Sequence, residues 1–272
     1  MKWAGGKRQL LPELAKYVPD TYGTYFEPFL GGGAFLLSAE LGLSGKAVVN
    51  DFNPELINAW KMVKTQPKKL IAQLEIFKQA NSKEFYLELR GWDRSVEGVE
   101  SHTQIERAAR FIMMNKTGFN GLWRVNKAGQ NNVPYGSYAN PKIFDADNIL
   151  HVSQFLKAHQ VEFKVGDFAK AVKKADTGDF VYFDPPYIPI STTASFTSYS
   201  SEFGLAEQVK LRDTFKALKD RGVKVLLSNS DVPMIHELYA EIGTIEQIQV
   251  HRAIAANAKS RTKVGEVLIR SW

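Results

Sequence analysis

An apolar run at residues 179–183, DFVYF, is stopped by Asp184-Pro185-Pro186-Tyr187. The run has the length and β-rich composition of a buried parallel strand. Two successive prolines lack backbone N–H donors and cannot continue a ladder, so the strand ends there. What remains is a rigid corner at a strand's carboxyl end, where open α/β sheets place their ligands. The corner offers a carboxylate, carbonyls without competing N–H neighbours and an aromatic plane. Such a set accepts hydrogen bonds from an amino group while stacking on a flat ring. A plain turn after a strand is the competing reading.

Upstream, residues 25–29 read as a short strand closed by Leu30 and three glycines, with residues 34–43 suited to a helix. Residues 46–50 are a second strand with Asp51 at its end. Asn53-Pro54-Glu55 is a helix start: an Asn cap, a proline in the first turn and an acid against the dipole. Helical spacing of apolar residues follows at 56–63, 70–77 and 105–113. Periodicity then fails over residues 117–141, rich in Gly, Asn, Pro and Tyr, which read as a long loop or hairpin. Strand patterns return at 161–165, 179–183, 223–227 and 264–269. The chain is therefore expected to be α/β, a sheet interrupted by a mainly helical insert and then resumed.

Charge sharpens that division. The 272 residues carry a net charge of +6. Residues 57–144 hold 14 Lys/Arg against 7 Asp/Glu, so the whole excess lies in the insert. Between residues 107 and 144 there are six basic residues and no acid, with Phe111, Phe119, Trp123, Tyr135 and Tyr138 interleaved. Basic residues with aromatic punctuation are the footprint of nucleic-acid binding, against the plainer alternative of a solvated helical face. No cysteine is present, which excludes a disulfide framework, a thiolate metal site and a cysteine nucleophile. The five histidines are scattered, so no metal site is expected. Neither a membrane span nor a signal-peptide core is visible, and a cytoplasmic setting is expected.

The glycine turn has two readings. Gly31 and Gly33 allow close backbone approach, and Asp51 follows where a carboxylate binds ribose hydroxyls. A dinucleotide fingerprint needs a third glycine, and Leu36 stands in its place. Alone, the turn fits a dinucleotide or another adenosine-containing cofactor equally. Trp3 to Lys7 add an aromatic plane, a flexible turn and a cation. These suit a ligand with an α-carboxylate and a sulfonium, such as S-adenosylmethionine. No hydride-transfer site is evident to support an NAD-dependent oxidoreductase.

In order along the chain stand KWAGGK (residues 2–7), EPFLGGG (27–33), Asn50-Asp51, GFNGLWRVN (118–126), NVPYG (132–136), GDF (166–168), DPPY and LSNS (227–230). This set resembles the Dam/DpnII-type adenine-N6-specific DNA methyltransferases, the D12 class, from residue 2 to about residue 269. The resemblance implies a Rossmann-like S-adenosylmethionine-dependent methyltransferase sheet, with catalytic residues 1–56 and 145–272 and a DNA target-recognition domain at 57–144. It implies transfer of methyl to N6 of adenine in duplex DNA, within GATC, with base flipping. Cytosine N4 and RNA adenine are the alternative acceptors.

By the same resemblance, Asp184, Pro185 and Tyr187 are the catalytic set. Trp3, Lys7, Asp51 and Asp184 contact the cofactor, Phe29, Gly31 and Gly33 shape its turn, and Asp167 and Phe168 flank its adenine. Lys2, Phe119, Asn120, Leu122, Arg124, Asn126, Pro134 and Tyr138 fall on DNA-contacting positions. Phe119 departs from the tyrosine common there, which keeps the stacking plane without its hydroxyl. The family's usual short leader before KWAGGK is not expected here. A cognate restriction endonuclease is an implied companion, without direct contact. Residues 191–201, with Phe196 and Tyr199, read as a substrate lid or a polar loop.

Overall fold

The computed structural model describes Trp3, Lys7 and residues 9–187, 203–250 and 264–272. Two compact units emerge: Met1–Gly6 with Asp51–Gly166, and Lys7–Asn50 with Asp167–Trp272. These boundaries enclose a longer segment than the charge-rich insert at 57–144.

The second unit carries six strands of a seven-stranded sheet, in the order β2-β1-β4-β5-β7-β6. They are β1 (Tyr25–Glu27), β2 (Ala47–Asp51), β4 (Phe180–Phe183), β5 (Lys224–Ser230), β6 (Thr244–Val250) and β7 (Val264–Arg270). The seventh, β3 (Glu162–Val165), lies in the first unit's part of the chain. β1 pairs in parallel with β2 on one side and β4 on the other, and β4 with β5. β7 runs antiparallel between β5 and β6. The order reverses between β1 and β4, the switch point at which a doubly wound, Rossmann-like sheet opens a crevice.

Side-chain alternation explains the layers. Val181 and Phe183, Val225 and Leu227, and Val267 and Ile269 share one face. They pack with Leu211, Phe215 and Leu218 of α8 (Leu205–Asp220) and with Ile235 and Tyr239 of α9 (Pro233–Tyr239). On the opposite register, Tyr25, Phe35 and Tyr182 form an aromatic cluster with centroids 6.2 and 4.8 Å from Phe35. The polar residues Tyr182 and Ser228 therefore belong to a face distinct from the α8–α9 core.

The helix expected at 34–43 does not form; those residues make successive turns. Ser38 Oγ accepts from Leu41 N at 3.1 Å, taking a donor the helix would need, and Gly42 stops the segment at φ 55°. Upstream, Leu11–Ala15 is a single helical turn, α1.

The first unit is mainly helical. α2 (Pro54–Thr65) starts as expected, with Asn53 Oδ1 accepting from the N–H groups of Glu55 and Leu56 at 3.0 and 3.2 Å. α3 (Pro67–Gln79), α4 (Lys83–Gly91), α5 (Gln104–Thr117) and α6 (Ala146–Ala158) follow. α5 opens with a capping box between Thr103 and Glu106, which satisfies two donors of its first turn. Residues 118–135 form an irregular hairpin with two isolated antiparallel bridges, Gly118–Tyr135 and Val125–Asn131. Among the described residues, no helix is long and apolar enough to cross a membrane.

Candidate active site

Asp184 leaves the end of β4 as the two prolines demand, its side chain one-fifth exposed. Its Oδ1 is held from two sides, by Lys7 Nζ at 3.2 Å and Ser228 Oγ at 3.1 Å. A carboxylate only accepts, so Ser228 donates to it, and the phenol of Tyr182, 3.1 Å from Ser228 Oγ, donates in turn. Sheet register produces this row: β4 and β5 align Phe183 with Leu227, setting Ser228 beside the strand end that carries Asp184. Burial pushes the Asp184 carboxyl above the ordinary range, while Lys7 and Ser228 pull it back. With Oδ1 fixed, Oδ2 is the oxygen left to accept from an amino group.

The backbone of the corner is held as well. Gln208, fully buried on α8, reaches the Pro186 carbonyl at 3.5 Å and accepts from Asn229 Nδ2 at 3.1 Å. Tyr187 donates its hydroxyl to Glu266 Oε2 at 2.9 Å, and Lys7 Nζ lies 3.7 Å above its ring centroid. Glu266, Gln208 and Ser228 were not among the sequence candidates. Ser228 lay within the LSNS run, but Glu266 and Gln208 occupy a strand and a helix that carry no motif.

Across the switch point, Gly31 and Gly33 take φ 47° and 66°, the left-handed backbone the turn required. Leu30 N donates to Asn50 O at 2.8 Å, tying this turn to the end of β2. Glu27, at the end of β1, is only 3% exposed, and Tyr25 OH donates to it at 2.9 Å. Burial pushes its carboxyl up to about 8; the Tyr25 hydrogen bond opposes the shift and the charge of Asp184 adds to it. Phe29 and Phe168 pack at 5.2 Å, and Phe168 is buried in the α8–α9 core. Asp167 caps α7 (Phe168–Ala171), accepting from Ala169 N and Lys170 N at 2.9 and 3.2 Å, and pairs with Lys210.

In the first unit, Asp51 is buried and accepts from Asn53 N at 3.0 Å, while its carbonyl takes Gly166 N at 3.0 Å. The next residue, Phe52, is 68% exposed, an aromatic plane the sequence reading passed over. Trp3 lies with its ring 6.1 Å from Phe111.

The DNA candidates of the hairpin split into exposed and anchored side chains. Phe119, 49% exposed, sits on a turn in which Asn120 takes φ 54° and Asn115 Nδ2 donates to Gly121 O at 2.9 Å. Asn120, Asn126 and Pro134 are exposed, whereas Leu122, Arg124 and Tyr138 are half-buried. Arg124 Nε donates to Asn132 Oδ1 at 2.6 Å. Asn126 spends its side chain on the hairpin tip, accepting from Ala128 N and Gln130 N at 3.0 Å each. Gly136 leaves no room for a Cβ, which would lie 2.4 Å from the Tyr138 ring. Lys2, the 191–201 stretch and the basic trio Lys259, Arg261 and Lys263 lie outside the described residues.

Behind the hairpin is a buried polar brace. Arg110 donates to Leu89 O at 2.6 Å and pairs with Asp93 Oδ2 at 2.9 Å, which also accepts from Asn131 N at 2.8 Å. Tyr86 OH and Arg90 both donate to Val133 O, at 3.0 and 3.2 Å. Among the described residues, no cluster of three potential metal ligands occurs.

A Rossmann-like α/β sheet thus carries a fixed carboxylate and an aromatic plane at a strand's carboxyl end. The chain belongs to the D12 class N6 adenine-specific DNA methyltransferase family, whose pattern it matches over residues 3–254. It is 48% identical to the type II methyltransferase M1.LlaDCHI of Lactococcus lactis subsp. cremoris, covering all of this chain and 94% of that one. Identity is 38% to the type II methyltransferase M.MjaIII of Methanocaldococcus jannaschii, over 100% of this chain and 98% of the relative. The DNA adenine methylase of Escherichia coli (strain K12) is 33% identical, over 98% of this chain and 93% of that one.

Proposed function

We propose that the protein transfers a methyl group from S-adenosylmethionine to N6 of adenine within GATC in duplex DNA, acting on an extruded base. The observation that carries this reading is the two-sided hold on Asp184 Oδ1 by Lys7 and Ser228, which leaves Oδ2 for an amino group. The N6 lone pair is delocalised into the purine ring and is a poor nucleophile. Asp184 Oδ2 and the Pro185 carbonyl accept the two amino hydrogens and turn nitrogen toward a tetrahedral, attacking geometry, a contribution of orientation and electrostatics. Tyr187 stacks on the base, which cannot be reached at this geometry inside a duplex.

S-adenosylmethionine supplies the methyl on a sulfonium centre. Gly31 and Gly33 give a close-approach turn and Asp51 is an acid for ribose hydroxyls, while Lys7, which pairs with Asp184 and Glu266, is assigned to the donor by the resemblance alone. Trp3, Phe29, Asp167 and Phe168 are assigned to the same ligand. Residues 57–144 act as the target-recognition region. There Lys2, Phe119, Asn120, Leu122, Arg124, Asn126, Pro134 and Tyr138 meet DNA, Arg124 at a base edge and Phe119 by stacking. The protein works in the cytoplasm on nucleoid DNA, with a restriction endonuclease as companion in the same system.

Incubation with tritiated S-adenosylmethionine and two duplexes differing only in GATC tests the reading. Label confined to the GATC duplex, recovered as N6-methyladenine, is the expected result. Equal labelling of both would sink the sequence assignment, and label in cytosine the acceptor.

A further inference from the structure

Glu266 is 5% exposed, and a carboxylate so buried needs partners. Its Oε2 accepts from the Tyr187 hydroxyl at 2.9 Å and from Lys7 Nζ at 3.5 Å. The antiparallel register pairs Glu266 with Ser230, two residues along β5 from Ser228, so both reach the same face. Lys7 thereby joins two carboxylates, at 3.2 Å to Asp184 and 3.5 Å to Glu266, while its ammonium covers one face of the Tyr187 ring. The ring is fixed at both ends, through the held Pro186 carbonyl and through its own hydroxyl. On the reading above, a flat base stacks on the face opposite Lys7.

We propose that Glu266 is a positioning residue for methyl transfer, pinning Tyr187 as the platform for the target base and holding Lys7 between itself and Asp184. The inference rests on the adenine-transfer reading above. Glu266 touches neither base nor reacting nitrogen and acts through the phenol and the ammonium. A displaced platform misaligns the acceptor, and misplacement of about 1 Å costs up to roughly a hundredfold in rate.

The test uses the full chain with a GATC duplex, in wild-type, Glu266→Ala, Glu266→Gln and Tyr187→Phe forms. Glu266→Ala is expected to lower kcat by about ten- to a hundredfold. Its KM for DNA and its thermal midpoint should stay near wild type. Glu266→Gln, whose amide oxygen still accepts from the phenol, restores most of kcat. Tyr187→Phe matches the Glu266→Ala loss, and the double variant adds little to either. With 2-aminopurine at the target position, the fluorescence change on binding should shrink in Glu266→Ala and return in Glu266→Gln. Wild-type kcat in Glu266→Ala would overturn the proposal, as would full additivity in the double variant. If Glu266→Ala does not fold, Tyr187→Phe and Glu266→Gln decide: unchanged kcat in Tyr187→Phe, or a tenfold loss in Glu266→Gln, overturns it. Absence of labelling by the wild type would instead refute the functional reading, and this inference with it.

Discussion

The corner after β4 and the hairpin of residues 118–135 are both polar, and they are built in opposite ways. In the corner, side chains hold side chains: Tyr182, Ser228, Asp184, Lys7, Glu266 and Tyr187 form one connected chain on a regular strand register. In the hairpin, side chains hold the backbone, through Asp93, Tyr86, Arg90 and Asn115, while Phe119, Asn120 and Pro134 stay exposed. The difference suits the proposed function. Aligning an amino group needs functional atoms fixed in direction, whereas meeting DNA needs a stiff backbone that presents side chains to solvent.

Breaking the corner should have the largest effect. Asp184→Ala is expected to cut methyl transfer by about a hundred- to a thousandfold or more. DNA affinity, read by filter binding, should be largely spared; wild-type turnover would end the acceptor role. Next comes the hairpin's brace: Arg110→Ala removes the buried guanidinium that joins Leu89 O to Asp93, which keeps Arg94 and Asn131 N–H, and should destabilise the first unit by about 1–3 kcal/mol in urea unfolding. A loss below about 1 kcal/mol would mean that the backbone is held elsewhere.

Arg124→Ala should relax base preference by about 1–3 kcal/mol, if its guanidinium reads a base edge. Competition with single-base variants of the site measures this, and uniform weakening on all sequences would make it a phosphate contact. Glu27→Gln acts through pH instead. The folded carboxyl titrates near 8, above its unfolded value, so the native state holds a proton that the unfolded chain has lost. Stability from this group is complete below the unfolded value near 4.5 and falls as pH rises toward 8. The slope is about 1.4 kcal/mol per pH unit within that window. Glu27→Gln should flatten the fall, as thermal midpoints at pH 5 to 9 would show. An unchanged slope would exclude Glu27 as its source.

Much of this architecture was legible in the sequence, and the gaps have physical causes. DPPY marked the end of β4, and Asn53-Pro54-Glu55 the start of α2, because prolines and caps act locally. Gly31 and Gly33 announced their left-handed backbone. The segment after them misled, since its apolar spacing was helical but Ser38 and Gly42 broke the ladder. Residues 244–250, TIEQIQV, were not read as a strand, because β6 alternates with polar residues and owes its pairing to β7. Gln208 and Glu266 escaped for a related reason: a lone polar residue in an amphipathic segment looks solvated until the register turns it inward. Asp167 and Asn126 show the converse, since residues chosen for ligands are also occupied with capping α7 and closing a turn.

The antiparallel insertion of β7 also bears on how the enzyme is made. Of the sheet's strands it is the last to leave the ribosome, yet it lies between two that precede it. Until it arrives, β6 has no ladder partner in the sheet, the Tyr187 hydroxyl lacks its acceptor on Glu266, and Lys7 holds one acid fewer. A nascent chain that already carries Asp184 therefore completes the hold on the Tyr187 hydroxyl only when its last strand emerges.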